Sequence, residues 1–206
     1  MSSNFSAINF HGIAPLPHLG IIRASGADAA SFLHNQLTND VLLMKDDQCR
    51  LAAFCNAKGR MQASFVVFKR SADEVLLICR KDLIAQTVKR LSMFVLRAKA
   101  KLSDASAEFQ LLGLAGDNVN STLQGAPTDP WLRHAMGAAD VLTLYPALGQ
   151  PRAMWLAPLD APAPVGPAMR AEVWQVGEVL SGIAWVEQAT YEAFVRRCST
   201  SNRSMA

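Results

Sequence analysis

The chain has 206 residues, of which 50% are hydrophobic and 18% charged, with four cysteines and a formal net charge of +3. That composition buries a real core and excludes an intrinsically disordered chain, and so few cysteines do not make a disulfide framework. Residues 1–10 lack a basic start followed by an apolar core, and no run approaches the ~18 apolar residues of a membrane span. A cytoplasmic protein without a membrane segment is expected.

In chain order, residues 27–37 read as a helix, with Phe32, Leu33 and Leu37 near one face and Ser25 or Asp28 as its cap. Residues 49–56 and 61–69 read as strands joined by the turn Ala57, Lys58, Gly59 and Arg60, where Gly59 can take a positive φ. A second turn at 71–74 precedes a short strand over 75–79. Residues 82–95 form an amphipathic helix with Leu83, Ile84, Val88, Leu91 and Val95 inward. Arg97, Lys99 and Lys101 then alternate with Ala98, Ala100 and Leu102, which predicts a strand over 97–102 with one basic face. Strands are expected again at 108–115, 141–145 and 152–157. Met169, Val173, Val176, Leu180 and Ile183 recur at helical spacing and predict a seam on a core. Eight of the ten prolines fall between Pro127 and Pro167, and residues 157–167 read as a loop. The class is α+β with antiparallel or mixed sheets.

Charge divides the chain. Residues 1–104 hold 14 Lys/Arg against 8 Asp/Glu, residues 105–195 hold 3 against 9, and residues 196–206 add three arginines and no acid. A basic α+β lobe over 1–104, an acidic one over 105–195 and an atypical disordered tail over 196–206 are the expected domains. The basic half implies either an anionic ligand or partner, or attraction between the halves.

No C-x-x-C pair, nucleophile elbow, P-loop or dinucleotide glycine fingerprint is present, so Cys49, Cys55 and Cys79 read as sheet packing and neither a metal site nor a catalytic residue is assigned. The best candidate from residue chemistry alone is the hairpin at 56–60. Its backbone N–H groups, with Lys58 and Arg60, could hold a carboxylate or phosphate; the alternative is a plain hairpin with solvated charges.

A resemblance narrows this. Gly26 to Ala30 followed by Phe32-Leu33-His34-Asn35-Gln36-Leu37-Thr38-Asn39-Asp40-Val41, then Cys55-Asn56-Ala57-Lys58-Gly59-Arg60, and later Ser181-Gly182-Ile183, are similar in order and spacing to the YgfZ family. These are folate-binding proteins related to the glycine-cleavage T protein, an aminomethyltransferase. The resemblance implies the aminomethyltransferase fold with tetrahydrofolate, or a folate derivative, in a central pocket. It also implies a link to upkeep of iron–sulfur enzymes and, through them, to tRNA modification. Aligned on the hairpin, the T protein's pocket positions fall on Leu51, Ser64, Val66, Ile78 and Arg80. Leu51, Val66 and Ile78 would meet the pterin, though each also reads as sheet core, and Arg80, Lys58 or Arg60, on the turn begun by Asn56, would meet the glutamate tail. The T protein has its catalytic aspartate where this chain has Ser64, and a hydroxyl cannot supply a carboxylate at neutral pH. A folate-binding accessory protein is therefore expected ahead of a one-carbon transferase. An adaptor that binds RNA or protein through its basic run is the third reading. After Val195 the family's Lys-Gly-Cys-Tyr-x-Gly-Gln-Glu motif and final β-barrel do not follow, which implies a truncated or frame-shifted member with impaired function.

Overall fold

The computed structural model describes residues 9–195. Among them are four α-helices and two five-stranded antiparallel sheets, so the class is α+β as expected. The predicted tail at 196–206 lies outside the described residues. The chain forms two compact units, each made of two segments: one from the residues up to Leu16 with Leu111–Ile183, the other from Pro17–Gln110 with the chain from Ala184 onward.

The second of these carries β2 (Leu19–Ser25), α1 (Ala29–Gln36), β3 (Cys49–Cys55), β4 (Met61–Ser71), β5 (Glu74–Arg80), α2 (Ile84–Ser92) and β6 (Lys101–Asp104), with sheet order β3-β4-β5-β2-β6. The three predicted strands are present: β3 ends one residue earlier than expected, β4 runs two residues further, and β5 gains one residue at each end. The central strand β2 is an element that sequence patterning does not reveal, because Leu-Gly-Ile-Ile-Arg-Ala is nearly all buried and shows no alternation. One face of the sheet presents Phe65, Val67, Leu77 and Ile22, which pack with Phe32, Leu33, Leu83, Ile84 and Leu91 of the helical layer. Burying each such side chain contributes about 1.5–3 kcal/mol. A 3-10 turn at Lys81–Leu83 replaces the first turn of the expected second helix.

Two local expectations fail here. Neither Ser25 nor Asp28 caps α1 through its side chain. Instead an Asp28 carboxylate oxygen accepts the Lys99 backbone N–H at 2.7 Å, and the Asp28 N–H donates to the Lys99 carbonyl. The same bonds explain why the basic strand begins only at Lys101. Strand β6 pairs with β2 from Ser25↔Lys101 onward, and a partner for Lys99 would fall where the chain has already left β2 for α1. Residues 96–99 are bends, and the basic side chains of Arg97 and Lys99 stand on an irregular turn.

The other unit holds β1 (Gly12–Pro15), β7 (Phe109–Ala115), α3 (Asp117–Leu123), β8 (Arg133–Met136), β9 (Ala139–Ala147), β10 (Gln150–Pro158) and α4 (Ala171–Leu180), in sheet order β1-β7-β10-β9-β8. Strands β9 and β10 meet at a two-residue turn in which Leu148 and Gly149 both have positive φ, the mirror-image turn that matches strand twist. Helix α3 seats Val119 and Leu123 among Leu114, Val141, Ala153 and Trp155.

The predicted seam of α4 is corrected. Met169 and Ile183 are buried but lie outside the helix, and the helix turns Trp174, Gly177 and Glu178 inward rather than Val173, Val176 and Leu180. The cause is a cluster no apolar period can announce. Arg152 lies with its guanidinium carbon 4.4 Å from the Trp174 ring centre and donates to the Gly177 carbonyl at 2.7 Å and to Ser181 Oγ. Trp174 Nε1 donates to Glu178 at 3.0 Å, and its ring occupies the space a side chain at Gly113 would need. Val179 is left 77% exposed.

Candidate functional site

Because successive strand residues point to opposite faces, the helices cover only one face of the Pro17–Gln110 sheet. The other face shows a continuous row, Leu51↔Val66↔Ile78↔Ile21, set by strand register. Val66 and Ile78 are fully buried and Leu51 is half-buried. Two residues further along β4 and β5 on the same face come Ser64 and Arg80, and two further along β4 comes Gln62. The register thus brings the predicted Leu51, Ser64, Val66, Ile78 and Arg80 onto one surface.

The hairpin is built differently from an anion cradle. Gly59 takes φ +75°, as its position requires. However, Asn56 closes the turn on itself: its side-chain oxygen accepts the Lys58 and Arg60 N–H groups at 2.9 and 3.0 Å, and its carbonyl accepts the Gly59 N–H. Those three donors are used internally, so any anion contact at the turn falls to the side chains. Lys58 is exposed, while Arg60 donates to the Glu192 and Ala193 carbonyls at 3.2 and 3.4 Å.

That last contact introduces a segment sequence reasoning missed as part of the site, residues 184–195. Ser64 Oγ donates to the Ala184 carbonyl at 3.3 Å and accepts the Val186 N–H at 2.8 Å. Arg80 pairs with Glu187 at 3.0 Å. Met61 exchanges backbone hydrogen bonds with Glu192 and Phe194, and Gln62 Nε2 donates to a Glu192 carboxylate oxygen at 2.6 Å. The Gln62 and Asn56 side chains together hold the Glu192 carboxyl below the usual range. Asn56, Arg60, Gln62, Ser64 and Arg80 therefore all engage one short stretch of chain. Gln62 could have been noticed: in Met-Gln-Ala-Ser-Phe it shares Ser64's face by parity, a polar pair in an apolar strand.

Chemically, this face holds an apolar row, a hydroxyl already committed to backbone, a carboxamide and a guanidinium, of which only Leu51 and Arg80 are partly exposed. Burial pushes the Cys49 and Cys79 thiols well above their ordinary range, so both are inert neutral groups at physiological pH. No group of three or more metal-ligating side chains converges among the described residues. None of the described helices is long and apolar enough to cross a membrane.

Two antiparallel sheets with this surface define an aminomethyltransferase-like α+β fold: glycine cleavage system aminomethyltransferase T from Bartonella henselae superposes with a TM-score of 0.62 at 16% identity, covering 73% of this chain and 43% of that one. The chain belongs to the GCVT N-terminal domain family, whose sequence model matches residues 8–141. Two names recur among its curated relatives. A tRNA-modifying protein YgfZ from Hamiltonella defensa is 31% identical over 105 residues, 51% of this chain and 31% of the relative. An aminomethyltransferase from Halalkalibacterium halodurans is 27% identical over 118 residues, 56% of this chain and 32% of the relative. An aminomethyltransferase from Shouchella clausii is 25% identical over 179 residues, 77% of this chain and 48% of the relative. The chain spans between about a third and a half of the length of these relatives.

Proposed function

We propose that this chain binds tetrahydrofolate or a folate derivative as an accessory to iron–sulfur enzymes, and through them to tRNA modification, without transferring aminomethyl groups itself. Leu51, half-buried at the end of the row that the buried Val66 and Ile78 continue, meets the flat pterin, while Arg80, with Lys58 on the hairpin turn, meets the carboxylates of the glutamate tail. Ser64 is the observation that carries the reading. A transferase needs a carboxylate to handle the folate amine, and here a hydroxyl stands at the position, already bonded to Ala184 and Val186. Relatives named aminomethyltransferase favour the transferase alternative, and Ser64 argues against it. The exposed Lys89, Arg90, Arg97, Lys99 and Lys101 favour the adaptor reading, in which an RNA or an acidic partner binds there.

Calorimetry with tetrahydrofolate tests the proposal. Saturable binding, weakened about tenfold in Arg80→Ala, is the expected result. A well-folded protein that takes up no heat with any folate form sinks it. Detectable aminomethyl transfer would restore the transferase reading.

A further inference from the structure

Gln62 is 2% exposed, and its two amide atoms are treated differently. The Nε2 end donates to Glu192 at 2.6 Å. The Oε1 atom is buried and has no hydrogen-bond partner among the described residues. The orientation of the amide is set by chemistry: an ionised carboxylate only accepts, so the NH2 group must face Glu192 and the carbonyl oxygen must point away from it. Turning the amide over would set two acceptors against one another. Asn56 secures the arrangement, because its own oxygen is occupied by Lys58 and Arg60 while its side chain donates to the same carboxylate.

A buried acceptor without a donor costs roughly 1–3 kcal/mol, and native interiors leave few of them. This one lies on the sheet face that carries Ser64, Val66 and Ile78, not among the residues under the helices. None of the described residues gives it a donor. Ring N–H and amino groups are what a reduced pterin presents along its pyrimidine edge.

We propose that the Gln62 side-chain oxygen is a ligand contact, accepting a hydrogen bond from a pterin N–H and selecting heterocycles that present a donor there. This rests on the folate reading above and adds a specificity residue to it. Glu192 acts through Gln62 by fixing which end of the amide faces the ligand. A site built to pair with an N–H rejects an analogue that lacks it, because the buried oxygen is then left alone.

The test compares Gln62→Leu with the wild-type chain by calorimetry, using tetrahydrofolate, 6-methyltetrahydropterin and p-aminobenzoylglutamate as probes. Loss of the acceptor should weaken the first two by about tenfold or more and leave the third unchanged. A merely structural role would lower the melting temperature without separating the probes, and equal binding in Gln62→Leu overturns the proposal while leaving the folate reading intact. No binding of any probe by the wild-type chain removes the folate reading and this proposal with it. Should Gln62→Leu fail to fold, the wild-type chain is titrated instead with tetrahydropterins lacking the 2-amino group or methylated at N3. At least one of these must lose about tenfold; if neither does, a bound water fills the role and the proposal is wrong.

Discussion

Glu192 adopts φ +59°, a left-handed conformation that costs a non-glycine residue roughly 1 kcal/mol. Its backbone bond to Met61 and its contacts with Gln62 and Asn56 hold it there. Because its carboxyl is held below the ordinary value of about 4.3, these contacts contribute fully above that pH and are lost as pH falls through the depressed folded value. On acidification the backbone amides joining Met61 to residues 192–194 should lose exchange protection before those between β4 and β5. Glu192→Gln should abolish that difference. Arg152 poses the opposite case, a buried cation whose pKa burial pushes down to about 10 while the Glu178 charge opposes the shift. Removing either group leaves the other charge buried without the opposite charge near it, so Arg152→Ala or Glu178→Ala should each cost about 3 kcal/mol in denaturant unfolding. The double replacement Arg152→Met/Glu178→Leu should cost far less than the sum of the two single losses.

At the level of elements, α4 shows how a correct element can carry a wrong face. Val173, Val176 and Leu180 have helical spacing, yet the inward side is chosen by Trp174 stacking on Arg152 and by Glu178 accepting the Trp174 ring N–H. Hydrophobic periodicity counts apolar residues and has no means of seeing a buried guanidinium held by an aromatic ring and a backbone carbonyl. Val179→Gln and Leu180→Gln should therefore change unfolding free energy by no more than about 0.5 kcal/mol. Trp174→Ala should cost about 3–5 kcal/mol in the same measurement. Strands β3, β4 and β5 were readable because turn residues bracket them and their runs are β-branched and aromatic. Strand β2 was not, since burial on both faces erases alternation. The basic run at 97–101 read as a strand because alternation survives in sequence where the partner strand has already ended. The apolar part of the candidate site was legible for a matching reason: a hairpin fixes register, and register fixes which residues share a face. The segment at 184–195 was not, because its contacts, side-chain and backbone alike, reach across more than a hundred residues.

Across the whole molecule, the sequence suggested a cut near residue 104, where the charge balance reverses. The compact units are instead interleaved in the chain: one joins the residues up to Leu16 to Leu111–Ile183, and the other joins Pro17–Gln110 to the residues from Ala184. Charge composition follows the chain linearly, whereas packing does not, so a composition boundary cannot reveal a unit assembled from two segments.

The pairing of Gly12 with Ala115 has a consequence for synthesis on the ribosome. Strand β1 emerges first and then waits for a partner about a hundred residues away, roughly 5–20 s at ordinary elongation rates. Every strand of the β3-β4-β5-β2-β6 sheet lies between those two points, so that sheet can close while β1 is still unmatched. Residues 184–195 leave the exit tunnel later still. The nascent sheet meets the cell with Gln62, Ser64 and Arg80 lacking their partners from that segment, and the candidate site is completed only after every strand of both sheets has been made.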